Sequence, residues 1–292
     1  TNSFRLLRAG FTLALHGALL PPEQTAQLPW AARKALSVAQ IGMRESAGQA
    51  NRLSAALSAL GPSYIKLGQF LATRPDIIGA KRAFELKVLQ DKLPPFSMAE
   101  ARATFLAELG KPVEHFFSSF SDPVAAASIA QVHKAVTHDG RTVAVKILRP
   151  GVEKRFAADI DSFGFAARLM EGTSAQGRRL RPVAAVAMLE QSMKLELGLR
   201  MEAAAIAEMA EATGEDPHFR LPAVDWATTS KRILTTEWID GISLADVEAI
   251  RAQGVDLIAL GDTVIQSFLR HAIRDGFFHA DMHQGNLMVD RA

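Results

Sequence analysis

Close to the C-terminal end the chain reads Phe277-Phe278-His279-Ala280-Asp281-Met282-His283-Gln284-Gly285-Asn286. A carboxylate such as Asp281 can take the proton of an attacking hydroxyl. A carboxamide five residues later, Asn286, can hold a magnesium ion. This is the arrangement of a kinase-type catalytic loop. Alone it is a weak signal, because Asp-x4-Asn recurs by chance. Its weight depends on three groups upstream: a loop for phosphates, a lysine, and a carboxylate to fix that lysine.

All three have candidates in the right order. In Val143-Ala144-Val145-Lys146 the lysine alternates with apolar valines, so it points to one face of a strand, where it can reach the α- and β-phosphates of a nucleotide. The helical stretch 183–212 offers Glu196 and Glu202 as partners. Glu202 is the expected one, because Ala203-Ala204-Ala205 beside it permit close packing on a sheet. On one continuous helix the two acids would stand roughly 240° apart and need not share a target. Between the first two expected strands lies Ala125-Ala126-Ala127-Ser128, where ordinary kinases carry a glycine-rich loop. Alanine visits positive φ poorly, so this loop should be stiffer and approach phosphate less closely. The stretch 233–241, a strand running into a turn, contains Glu237 and Ile239 where a kinase hinge would meet an adenine edge. Far upstream, Lys66-Leu67-Gly68-Gln69 could set two polar heads on one side of a helix, with Gly68 allowing close approach.

The elements that must hold these groups are legible in outline. Residues 1–60 read as helical, broken at Pro29, and Gly61-Pro62 marks a turn. A helix pair spans 81–111, joined by Leu93-Pro94-Pro95-Phe96, with Ser97 as the cap of its second member. Strand character follows at 116–120 and 129–136. His138-Asp139-Gly140-Arg141 then supplies a hairpin turn, and 142–148 is the clearest strand. Residues 151–181 read as an amphipathic helix and a loop at 172–177, inserted in the sheet-containing lobe. A helix from Asp256 to Arg274 precedes the catalytic loop.

Composition sets limits. The chain has 292 residues, 48% of them hydrophobic and 22% charged, enough to fold around a substantial core. A net charge of +2 is too mild to argue for nucleic acid. Without cysteine there is no disulfide and no thiolate chemistry. No run reaches the ~18 apolar residues of a spanning helix. The closest, Phe11 to Leu20, suits an amphipathic helix or contact with a membrane surface.

With these parts in order, the chain resembles the UbiB/ADCK family of atypical protein-kinase-like proteins over about residues 60 to 290. The marks are Lys66-Leu67-Gly68-Gln69 with Thr73-Arg74-Pro75-Asp76, Leu89-Gln90-Asp91 before Pro94-Pro95-Phe96, and Ala125-Ala126-Ala127-Ser128-Ile129-Ala130-Gln131-Val132-His133. Lys146, the Glu196 to Glu202 stretch, and His279-Ala280-Asp281 to Asn286 complete them. The resemblance implies an α+β, protein-kinase-like two-lobe fold with an N-terminal helical extension. The extension is expected over 1–111, a small lobe over 112–240, and the start of an incomplete large lobe over 241–292.

The resemblance also implies roles. Lys66, Gly68, Gln69 and Glu196 belong to a helical cap over the catalytic cleft. Ala125, Ala126, Ala127 and Ser128 cover the nucleotide phosphates, and Lys146 pairs with Glu202. Asp281 is the catalytic, proton-accepting Asp, His279 braces its loop by hydrogen bonds, and Asn286 is a metal ligand. ATP or ADP with Mg is the expected cofactor. The expected activity is that of an atypical kinase or ATPase supporting ubiquinone biosynthesis, with protein phosphorylation in trans blocked by the cap. Partners would be a quinone-like lipid or quinone-biosynthesis enzymes and a membrane surface, at the cytoplasmic face of the inner membrane, and no nucleic acid. A nucleotide-binding scaffold without turnover, and a small-molecule phosphotransferase of the aminoglycoside or choline kinase type, are the alternatives.

Three departures from the family pattern stand out. Glu196-Leu197-Gly198 replaces the usual Glu-x-Asp, removing one carboxylate. Met282 and Gln284 stand where prolines are common. No Asp-Phe-Gly segment occurs before Ala292. The chain is therefore expected to be a portion of a longer protein that binds magnesium nucleotide poorly.

Overall fold

The computed structural model describes residues 2–16, 52–87, 89, 93–173, 175–278, 282 and 284–290. The helices α1 (Asn2–Leu15), α2 (Arg52–Leu60), α3 (Pro62–Ala72), α4 (Pro75–Ile78), α5 (Ala80–Leu86) and α6 (Met98–Leu109) come first. The strands β1 (Phe117–Ala126), β2 (Ala130–Thr137) and β3 (Thr142–Leu148) follow. Next are α7 (Val152–Thr173), α8 (Ala175–Leu180), α9 (Pro182–Glu196) and α10 (Leu199–Ala212). The strands β4 (Ile233–Glu237) and β5 (Gly241–Ser243), the helices α11 (Val247–Ala252) and α12 (Leu257–Arg270), and β6 (Met288–Asp290) complete the order.

The chain divides into two compact units. The first comprises Thr1–Ser97, Ala125–Gln131 and Leu148–Leu197. It is helical, with α1, α3, α8 and α9 all packing on α7. Its core includes Leu57, Ile65, Leu86, Phe156, Leu189 and Met193. Tyr64 meets Phe163 edge-on with ring centroids 5.0 Å apart. Gly61 separates α2 from α3 at φ 103°, a conformation that side chains with a Cβ rarely adopt. Pro62 then opens α3 at a position that has no use for an N–H.

The second unit comprises Met98–Val124, Val132–Ile147 and Gly198–Ala292. Its sheet has the order β1-β2-β3-β4, and β5 pairs with β6 in a separate ribbon. Strands β3 and β4 run antiparallel with Lys146 opposite Leu234. Val143, Val145 and Ile147 are buried on the inner face, as the period of two requires. Phe105 from α6, Phe117, Leu199, Ala203 and Ile233 join them in this core.

Several sequence expectations are corrected. The helical stretch 183–212 is not one helix. It breaks at Leu197 and Gly198 into α9 and α10, and the break also divides the two units. Residues 151–181 group with the N-terminal helices rather than with the sheet, because the apolar stripe of α7 packs on α1, α3 and α9. Gly172 and Thr173 finish α7, and Ala175 opens another helix where a loop was expected. Ala125 and Ala126 end β1 rather than lying in the turn. The helix at 256–274 gives way after Arg270 to a π-helical turn, His271–Asp275. The break at Pro29 and the part of the second helical run that precedes Arg52 (31–51) lie outside the described residues.

Candidate nucleotide site

Lys146 projects from β3 on the face opposite Val145, so it leaves the core without leaving the sheet. Its Nζ lies 2.9 Å from Glu202 Oε1 and 2.8 Å from Oε2. Glu202 stands in the first turn of α10. That helix is held at its start by Leu199, whose N–H donates to the Lys231 carbonyl just before β4. Leu199 and Ala203 turn inward and are fully buried, which presses α10 onto β4 and brings the acid to the lysine. The pair is partly open, with the two side chains 31% and 39% exposed. A half-open ammonium held by one carboxylate keeps N–H donors for a phosphate, so the donor set fits a nucleotide.

The other acid of the old pair serves a different lysine. Glu196, at the end of α9, meets Lys66 of α3 at 2.6 Å within the first unit. Gly68, two residues on, is buried. A Cβ there would lie 2.5 Å from Leu89 Cδ2 and 2.7 Å from Leu57 Cδ1. Close packing of α3 therefore requires glycine at this position. Gln69 is half-buried on the same helix.

The alanine-rich turn is closed by its own backbone. The Ala127 N–H donates to the Ala130 carbonyl at 2.8 Å. Ala125 is exposed, Ala126 and Ala127 are half-buried, and Ser128 is buried, its hydroxyl unpartnered among the described residues. Arg149, which the sequence reading passed over, organises this turn. It donates from Nη2 to the Ala127 carbonyl at 2.9 Å and to the Pro94 carbonyl at 2.7 Å. Its guanidinium lies over the Phe96 ring, 5.6 Å from the centroid. Gln131 adds a second tie, accepting from the Phe96 N–H at 2.9 Å. The only sequence signal for Arg149 was its place directly after the clearest strand, ahead of Pro150-Gly151.

At the hinge candidate, Glu237 donates its N–H to the Ala223 carbonyl, and Trp238 donates to Thr142. The Glu237 carboxylate is gripped by Arg220 Nη1 at 2.9 and 3.0 Å. Arg220 also donates from Nε to Asp290 of β6 at 2.7 Å. Glu237 is thus committed to structure, and Ile239 is the first hinge candidate past the strand.

Asn286 is exposed just before β6. Its neighbours are pinned by the Leu244 N–H on the Leu287 carbonyl and by Ser243 Oγ on the Gln284 carbonyl. Its carboxamide oxygen is a hard ligand suited to magnesium. Among the described residues no three His, Asp or Glu side chains cluster as a metal cage. Asp281, His279, Gln90 and Asp91 lie outside the described residues.

A family profile described as the ABC1 atypical kinase-like domain matches residues 88–292. A Marinobacter nauticus protein named as a probable protein kinase UbiB is 42% identical over 82% of this chain and 44% of its own length. A Shewanella baltica protein of the same name is 38% identical over 94% of this chain and 50% of its own. The chain spans about half the length of these curated relatives. Among solved structures, a Mycobacterium tuberculosis protein determined as an erythromycin complex superposes with a TM-score of 0.56. It is 28% identical, and the match covers 92% of this chain and 63% of that one. The fold is kinase-like, α+β.

Proposed function

Because this chain belongs to the UbiB/ADCK family of atypical protein-kinase-like proteins, we propose that it forms the ATP-gripping part of an atypical kinase or ATPase supporting ubiquinone biosynthesis at a membrane. The observation that carries this reading is the ion pair of Lys146 with Glu202 at 2.8 Å. In this reading Lys146 holds the α- and β-phosphates and Glu202 keeps its amine in place. Asp281 takes the proton of the attacking hydroxyl or water, and His279 braces its loop. Asn286 supplies an oxygen to magnesium, which when bound neutralises charge on the phosphates. Ala127 and Ser128 cover the phosphates, and the backbone of Ile239 meets the adenine edge. Lys66, Gly68, Gln69 and Glu196 form a cap that excludes protein substrates.

Membrane contact at the cytoplasmic face of the inner membrane belongs to the same proposal. No described helix is long and apolar enough to cross a bilayer. Helix α1 turns Phe4, Leu7 and Phe11 outward, which supports contact with a membrane surface. A quinone-like lipid, or the enzymes that make it, is the proposed client.

Nucleotide titration with and without magnesium tests the grip. Lys146→Ala should weaken binding about tenfold to a hundredfold, from the loss of a charge-assisted contact of ~1.5–3 kcal/mol. Equal affinity in wild type and variant would overturn the reading. A second reading, a nucleotide-binding scaffold, is favoured by Gly198, which leaves one carboxylate fewer than the family pattern. Phosphate release in the presence of a quinone-like lipid separates the two. Turnover that Asp281→Asn abolishes supports the enzyme, and nucleotide binding without release supports the scaffold.

A further inference from the structure

Asp216 lies one turn beyond α10, the helix that bears Glu202. The end of that helix is firmly closed. Thr213 donates its N–H and its hydroxyl to the Met209 carbonyl, at 2.9 and 2.8 Å, and the Asp216 N–H donates to the Thr213 carbonyl. The Asp216 side chain is only 3% exposed, yet both oxygens are engaged, and among the described residues the side-chain partners come from one distant segment. Arg274 donates from Nη1 to Oδ1 at 2.8 Å and from Nη2 to Oδ2 at 3.2 Å. His271 Nε2 stands 2.9 Å from Oδ2, and Arg270 lies 3.8 Å from Oδ1.

The partners belong to the last turn of α12 and the π-helical turn after it. Here His271 is fully buried, packed against Phe219 with centroids 4.6 Å apart. Since its Nε2 faces a carboxylate, Nε2 carries the proton. Its Nδ1 has no partner among the described residues. Arg274 also grips Asp275 at 2.6 and 2.8 Å. The formal charges balance: Asp216 and Asp275 against Arg270 and Arg274. Gly276 then turns the chain at φ 63° into the stretch that leads to Asp281.

Asp216 and His271 are buried, but the Arg274 side chain is 48% exposed, and an ion pair so open to water is a modest source of net stability. What it supplies is position. π-helical turns are short, costly and frequent at functional sites. This one brings His271 and Arg274 onto the same carboxylate, only a few residues before the catalytic loop.

The geometry points to Asp216 as a positioning residue. It ties the entry to the loop bearing Asp281 and Asn286 to the end of the helix bearing Glu202, so that the phosphate-holding and proton-accepting elements keep one spacing. This rests on the function proposed above.

The test uses Asp216→Asn, Arg274→Gln and the double variant. Hydrogen exchange is followed without nucleotide, and kcat and KM for ATP are measured alongside. Asp216→Asn should speed exchange at least tenfold at amides 276–290 and leave β3 and the first turns of α10 unchanged. It should lower kcat about tenfold while KM stays within twofold, because Lys146 still grips the phosphates. The double variant should be no worse than the worse single one, since the two residues act as a unit. Arg274→Lys, which keeps the charge but not the fork, should fall between wild type and Arg274→Gln. It also keeps the test open if Asp216→Asn fails to fold. Unchanged exchange at 276–290 would overturn the proposal. So would a uniform rise in exchange across the whole second unit, which is the mark of a stability element. A wild type that releases no phosphate would instead defeat the proposed activity, and the exchange measurement would still decide the role of Asp216.

Discussion

At the scale of single residues, the molecule spends its polar groups on fixing backbone. Arg149 closes the Ala127, Pro94 and Leu93 carbonyls and covers an aromatic face at once, a task that needs the planar fork of arginine rather than a lysine. Gly68 works by subtraction. The space a Cβ would need is already held by Leu57 and Leu89, both buried. Gly68→Ala should therefore overpack this contact and cost ~1–3 kcal/mol, read as a lower midpoint in denaturant unfolding. A variant as stable as wild type would mean that the leucine tips move aside freely. The two long-range acid–lysine pairs show how much one backbone break decides. Glu196 and Glu202 share a stretch of sequence but serve Lys66 and Lys146 respectively.

At the scale of elements, that break is the start of α10. Gly198 occupies its N-cap and offers no side-chain acceptor, while its carbonyl takes the N–H groups of Met201 and Glu202. Its φ of −104° is open to any residue. Gly198→Asp should add a cap and raise stability by a few tenths of a kcal/mol. If the proposed function holds, it should also tighten magnesium-dependent nucleotide binding by restoring the second carboxylate; titration with and without the metal reads this out. Helices α10 and α12 meet through Asp216. Hydrogen bonds from Arg274 chiefly, with that from His271, hold its carboxyl below the ordinary carboxylate range. A carboxyl with a lowered folded pKa contributes stability above its unfolded value near ~3.9. That contribution is lost as the pH falls through the lowered folded value. Acid unfolding followed by circular dichroism should therefore steepen below about pH 4. The steepening should be smaller in Asp216→Asn.

At the scale of the whole molecule, the division into two units does not follow the order of the chain. Strands β1, β2 and β3 each cross from one unit to the other, at 124/125, 131/132 and 147/148. A strand shared by both units carries the loss of one into the other. Calorimetry should show one transition with equal calorimetric and van't Hoff enthalpies. Two resolved transitions would mean that the shared strands transmit nothing. The same arrangement explains why the helices after β3 group with the N-terminal extension. Their apolar stripes find each other rather than the sheet.

The sequence by itself determined the kinase-like order of parts: the strand with Lys146, the hairpin before it, and the choice of Glu202 over Glu196 as the acid facing that lysine. Those follow from period-two burial, a turn that asks for Asp-Gly, and the small residues flanking Glu202, all of which are local. Only the tertiary structure decided that Glu196 answers Lys66, that Arg149 anchors the alanine-rich turn, and that Asp216 gathers His271, Arg270 and Arg274. These contacts join residues some 20 to 130 positions apart. Their partners are selected by three-dimensional packing, and no local periodicity or propensity carries that information.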